Sequence, residues 1–212
     1  MSPEQKRLDA YCTRHTSQIS ELLYRLERET HLKTLAPQMS SGPLQGALLR
    51  LLCQLKRPQT VLEIGTFTAY ATLCMADGLP AQSLLHTIEA NEELEYLIRK
   101  YLEEAAPACD VRLHIGQAQD IIPQLEDRFD MVFIDAGKKD YAFYYDLVFD
   151  RVNPGGLILA DNVLWDGKVA KGAKDEDTRI INAFNEKVQQ DERVENLMLP
   201  IRDGLLIAQK LG

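Results

Sequence analysis

Three oxygen-bearing side chains stand at the ends of two apolar runs, where their types and spacing could do chemistry. The segment FDMVFIDAGKKD (129–140) delivers Asp135 at the end of its run, with Lys138 three residues on. The segment GGLILADNVLW (155–165) delivers Asp161 and Asn162 in the same way. Two carboxylates and an amide suit a hard divalent cation, Mg²⁺ first, with Mn²⁺ or Ca²⁺ as alternatives, and leave positions open for water or substrate. The histidines, His15, His31, His86 and His114, are scattered and read as structural. Neither they nor the cysteines, which form no C-x-x-C, support zinc.

A second constellation lies earlier. In TVLEIGTFTAY (60–70) an acid, Glu63, closely precedes Gly65, and a helical pattern follows at once. The glycine lets a ligand approach the backbone, and the helix start offers unpaired N–H groups and a positive dipole end. The turn has one glycine and no G-x-G-x-x-G, which argues against a bound pyrophosphate and so against a nicotinamide-dependent oxidoreductase. Glu89 closes the next apolar run, LLHTIEA, 24 residues after Gly65, where an acid can accept from ribose hydroxyls. A ligand with a ribose and no pyrophosphate fits S-adenosylmethionine.

These residues need a scaffold that brings strand tips to one edge. Strand patterns at about 60–64, 84–89, 111–115, 130–135 and 156–161 alternate with helical patterns at about 69–78, 91–105, 118–125 and 140–151. Such alternation predicts a parallel sheet with helices on both faces, whose C-terminal strand ends line one crevice. After a helix near 175–190, two runs at 196–201 and 205–210 are joined too briefly for a parallel crossover, so they form an antiparallel hairpin. Ahead of the core, two helices at 3–15 and 17–33 make an N-terminal extension, followed by a loop and a helix opening at Pro43. The expected organisation is a single domain over 1–212, with residues 1–35 as the helical extension and 36–212 as the α/β core.

Composition narrows the function classes. The chain has 212 residues and a net charge of −8, which disfavours a broad grip on nucleic acid. No apolar run approaches the roughly 20 residues of a membrane span. The polar start MSPEQKRLDA is unlike a signal peptide, so a cytoplasmic location is expected. Cys53 and Cys74 sit in apolar helical runs and are expected to be buried free thiols in a reducing compartment.

From about Met39 onward the chain resembles the cation-dependent, S-adenosylmethionine-dependent O-methyltransferases of the caffeoyl-CoA and catechol type. The resemblance rests on LEIGTFTAY, IEAN, GQAQDIIPQL, FDMVFIDAGKKDY, GGLILADNVLWDGKV and LPIRDGLLIA, in that order. It implies the class I methyltransferase (Rossmann-like) fold, a seven-stranded, mostly parallel sheet ending in the reversed hairpin, with N-terminal helices, and a homodimer. Carried over by position, Glu63, Gly65, Thr66 and Tyr70 would hold the methionine moiety and Glu89 the ribose. Ala118, with Gln119 nearby, would border the adenine, and Ser41 would close over the cofactor. Asp135, Asp161 and Asn162 would bind the metal, Asp135 also serving the cofactor and the catalysis. Lys138 takes the place of the catalytic lysine, and Trp165 would wall the substrate pocket. Departures are Ala69 and Ala71, where a glycine and a serine are usual, Gly137, where an acid is common, and Arg202, where glycine is common.

The expected reaction is methyl transfer to one hydroxyl of a metal-chelated, catechol-like diol, with Lys138 removing the proton. Two alternatives change the substrate or the class: a hydroxylated wobble uridine of tRNA, favoured only by local cations such as Lys168, Lys171, Lys174 and Arg179, or a non-catalytic binding module.

Overall fold

The computed structural model describes residues 3–212. Its seven strands are β1 (Thr60–Ile64), β2 (Leu84–Glu89), β3 (Asp110–Ile115), β4 (Phe129–Ile134), β5 (Val152–Asp161), β6 (Val194–Leu199) and β7 (Leu205–Lys210). They form one sheet in the order β3-β2-β1-β4-β5-β7-β6. The β2–β3, β1–β4 and β4–β5 pairings are parallel, whereas β7 runs antiparallel to both β5 and β6. The mostly parallel sheet and its reversed hairpin are therefore as the sequence predicts. Among the described residues, no helix is long and apolar enough to cross a membrane.

The chain divides into two compact units. The first holds residues up to 59 and 66–116. It contains α1 (Pro3–Arg14), α2 (Glu21–Lys33), α3 (Gly42–Lys56), α4 (Tyr70–Gly78) and α5 (Glu95–Ala105), with β2 and β3. Ser20 caps α2 by accepting from the Leu23 amide, which starts that helix four residues later than the apolar pattern suggests. Leu26 of α2 is buried with Tyr70, Leu73 and Cys74 of α4 and Leu97, Ile98 and Tyr101 of α5, so α2 is part of this unit's core. The α3–α4 contact is close because Gly46 has no side chain: a Cβ there would stand 2.6 Å from Cys74 Sγ. Cys53, Cys74 and Cys109 are buried free thiols and Cys12 is exposed.

The second unit holds residues 60–65 and 117–212. It contains β1, β4–β7, α6 (Ala118–Ile121), α7 (Tyr141–Phe149) and α8 (Glu176–Gln189). β4 is buried along almost its whole length, as a strand covered on both faces must be, and its apolar run shows why. The helical pattern at 118–125 yields one α-turn and a 3-10 turn, because Pro123 has no N–H to continue the ladder. β6 stops at Leu199, before Pro200, for the same reason.

Candidate active site

In the second unit, β4 and β5 run parallel with Ile134 opposite Ala160, so the residues that follow leave the sheet at one edge. Asp161 is the last residue of β5 and is fully buried. Asp135 lies one residue beyond β4, and Lys138 opens the 3-10 turn Lys138–Asp140 that leads into α7.

Lys138 Nζ donates to Asn162 Oδ1 at 2.8 Å and lies 3.4 Å from Asp135 Oδ1. A single ammonium thus touches an oxygen from each strand tip, and those two oxygens are no further apart than the sum of the distances, about 6 Å. Asn162 reaches this place through a left-handed backbone, φ +58, with its own amide donating to Asp161 Oδ1 at 2.8 Å. Asparagine tolerates that conformation better than most residues. Arg202 Nη1 stands 3.4 Å from Asp161 Oδ2.

Electrostatics follow from this crowding. Burial, and next the charge of Asp161, push the Asp135 carboxyl up to about 6, while Lys138 and Arg202 act in the opposite direction. The protein therefore surrounds two nearby carboxylates with two cationic side chains. Hard oxygen donors, two of them carboxylates, are the donor set a divalent cation requires, so these residues fit one. Among the described residues, no group of three or more His, Cys, Asp or Glu side chains is placed to share an ion; this set counts two carboxylates and completes itself with an amide.

Tyr141 is a candidate residue that the sequence reading above did not single out. Its hydroxyl accepts from Lys138 Nζ at 2.5 Å and donates to the Asp161 carbonyl at 3.0 Å, and its ring lies 4.6 Å below the ammonium. Burial, then the charges of Asp135 and Asp161, raise its pKa, so it remains a neutral phenol that fixes Lys138. The available signal was its position three residues after Lys138, one helical turn on.

Two loops complete this side. Leu164 N donates to Asp203 O at 2.8 Å, Val163 N to Gly204 O at 3.2 Å, and Asp166 N to the Asp203 carboxylate. Trp165 is half-buried on this laced segment, with φ +50. Ala118 is buried at the start of α6, with Gln119 exposed beside it.

Gly65 has φ +100, and a Cβ there would fall 2.0 Å from the Asp135 carbonyl oxygen. The Asp135 amide donates to Ile64 O at 2.9 Å, so the two chains pass too closely for any side chain at this turn. Glu63, two residues earlier, is fully buried in β1.

In the first unit, the turn that follows is held from β2. Glu89 accepts from Phe67 N at 2.7 Å through Oε2 and from Asn91 N at 2.8 Å through Oε1. A carboxylate has about four acceptor sites, so Glu89 still has lone pairs for ribose hydroxyls, and its chemistry fits that ligand. Thr66 Oγ1 lies 2.5 Å from Thr87 Oγ1. Tyr70 opens α4, but its side chain is turned into the apolar cluster with its hydroxyl buried and without a hydrogen bond. Burial raises that hydroxyl's pKa. What Tyr70 offers a ligand is therefore its backbone N–H. Ser41 is buried at the start of α3. The two histidines that looked scattered, His86 and His114, meet across β2 and β3 with Nδ1 and Nε2 2.9 Å apart.

A cavity of about 620 Å³ opens elsewhere in this unit, among α2, α3, α4 and α5, and none of the candidate residues lines it. The charges on its walls are already paired, Arg25 with Glu104 and Arg50 with Asp77. The candidate residues stand at the strand tips instead.

Comparison with known proteins identifies the family of the chain. The family model described as O-methyltransferase matches residues 13–211. A catechol O-methyltransferase of Niastella koreensis is 40% identical over 137 residues, 63% of this chain and 62% of that protein. Tricin synthase 2 of Oryza sativa is 34% identical over 186 residues, 82% of this chain and 64% of that protein. The alignments thus span less than two thirds of the length of these two relatives. Among solved structures, the O-methyltransferase TomG of Streptomyces achromogenes, in complex with S-adenosylmethionine, superposes with TM-score 0.89 at 28% identity over all of both chains.

Proposed function

The chain belongs to the O-methyltransferase family, and from that premise we propose that it moves a methyl group from S-adenosylmethionine to one hydroxyl of a vicinal, catechol-like diol, with divalent-cation assistance. The observation that carries this reading is the single ammonium of Lys138 shared by Asp135 Oδ1 and Asn162 Oδ1, beside Asp161. A positive charge is already accommodated among the three donors that would hold the cation.

In this reading Asp135, Asp161 and Asn162 hold the ion. When bound, the ion would favour the ionised form of the acceptor hydroxyl and the cofactor would supply an electrophilic methyl. Lys138, after giving up one ammonium proton to solvent, takes the acceptor's proton on the neutral Nζ, and Tyr141 keeps that nitrogen in place. Trp165 walls the acceptor and excludes water. Glu89 accepts from the ribose, and Thr66 and the Tyr70 amide meet the amino-acid end of the cofactor, as do Glu63 and Gly65. Ala118 borders the adenine, and Ser41 closes over the cofactor. A homodimer accompanies this reading, supported by exposed Leu8, Tyr11, Leu32, Leu51 and Leu55 on α1–α3.

The test is methyl transfer from labelled S-adenosylmethionine to a panel of diols and monophenols, with a metal series and with EDTA. Transfer confined to diols and abolished by chelation is expected, with loss in Asp161→Ala. Transfer indifferent to EDTA would remove the cation, and transfer to monophenols alone would remove the chelated diol.

A further inference from the structure

The same turn that is read above as the cofactor's is also held from behind, by a residue no part of that reading uses. Thr30, in the last part of α2, and Thr68 are both fully buried, and their hydroxyl oxygens lie 2.9 Å apart across 38 residues of sequence. Thr30 Oγ1 is also 2.8 Å from the Leu26 carbonyl one helical turn back. A hydroxyl has one proton, so Thr30 serves both neighbours by donating to the carbonyl and accepting from Thr68. Around it the wall is apolar, formed by Leu26, Ala69, Tyr70 and Leu73. A hydroxyl pair in such surroundings is directional where the rest of the packing is not.

Thr68 is the residue that needs direction. It stands between Phe67 at φ +52 and Ala69 at φ +73, two left-handed residues that each lack the freedom of glycine. Such conformations persist only where the surroundings over-determine them. On the β2 side, Glu89 holds the Phe67 amide and Thr87 holds Thr66. On the α2 side, within this unit, the hydroxyl pair is the polar tie.

We propose that Thr30 is a positioning residue for the cofactor turn, so that α2 sets cofactor affinity through the Thr30–Thr68 hydrogen bond. This rests on the cofactor reading of the turn. Thr30→Val keeps the shape and removes the hydroxyl, Thr30→Ser restores it, and Leu22→Ala loosens α2 without touching Thr68.

The test reads two quantities in the full chain: affinity for S-adenosylmethionine by titration calorimetry, and hydrogen exchange of the Phe67 and Ala69 amides without any ligand. Thr30→Val is expected to bind about 3- to 10-fold more weakly, the range one net hydrogen bond supports, and to exchange those two amides faster by a similar factor. Thr30→Ser should lie within about twofold of wild type on both readings, and Leu22→Ala should lower thermal stability with neither reading changed. Unchanged affinity and exchange in Thr30→Val, no recovery with serine, or equal effects in Leu22→Ala would each overturn the proposal. If the wild type binds no S-adenosylmethionine, the cofactor reading fails by itself, and the exchange rates alone decide whether Thr30 holds the turn.

Discussion

Replacing Lys138 with methionine keeps an unbranched stem and deletes the ammonium, which makes it a direct probe of the charge balance at the strand tips. In the wild type that ammonium bonds Asn162 Oδ1 at 2.8 Å and Tyr141 OH at 2.5 Å and sits 3.4 Å from Asp135 Oδ1. Hydrogen bonds involving a charged group contribute about 1.5–3 kcal/mol each, and the regained hydration of a deleted charge offsets part of that. The net loss expected without divalent cation is therefore about 2 kcal/mol, up to a 30-fold shift in the folded ratio. Asp135, already pushed up to about 6, should move higher, because Lys138 is among the groups holding it down. Saturating Mn²⁺ would give Asp135 and Asn162 a positive partner again and should shrink the loss to under about 1 kcal/mol, since a ligand of the folded state stabilises by mass action. Urea unfolding of both proteins, in EDTA and in Mn²⁺, measures this. Equal destabilisation in the two conditions, or none in EDTA, refutes the argument that the ammonium stands where a cation would. The variant should also lose at least about 100-fold in methyl transfer, the usual range for a displaced proton acceptor.

Further outcomes are expected. Gly65→Ala should destabilise by more than about 3 kcal/mol, because its Cβ would meet the Asp135 carbonyl at 2.0 Å in a left-handed backbone; near-normal thermal unfolding would contradict this. Arg202→Gly should tighten Mn²⁺ binding several-fold, since it frees Asp161 Oδ2 from a guanidinium 3.4 Å away; calorimetry showing weaker binding would assign Arg202 a supporting role instead. If Asp135 holds the ion as proposed, binding requires it ionised, so affinity should be flat above pH 7 and fall about tenfold per unit below about 6. Without the ion the sign reverses for folding: a carboxyl raised in the native state favours the fold below its unfolded value near 4, and that stability is lost as pH climbs to about 6. His114 is depressed, first by burial and then by His86 and Arg112. Its contribution is present at neutral pH and is lost on acidification from about 6.5 downward, and His114→Gln should flatten that slope in urea midpoints measured between pH 7.5 and 5.5.

The alternation of apolar runs and helical patterns by itself determined a parallel sheet, and the short link around Asp203 determined the reversed last strand, because period and loop length are local properties. Asp135, Asp161 and Asn162 were legible for a similar reason: parallel neighbours deliver their C-terminal residues to a common edge, so position in sequence predicts position in space. Even the single glycine at 65 was readable as a close approach, though only the fold named the Asp135 carbonyl as what approaches. Tyr141, Thr30 and the His86–His114 pair were not legible. Each acts through a partner whose distance depends on how elements pack, and apolar periodicity reports which face is buried without reporting which hydroxyl or ring nitrogen meets which. Tyr70 shows the converse: its place beside the turn suggested a ligand contact, and packing against α2 and α5 took the side chain into the core. Sequence fixes which groups reach a strand tip; tertiary packing decides what holds them there, because hydrogen bonds are set by ångström-scale separations that only the assembled core defines.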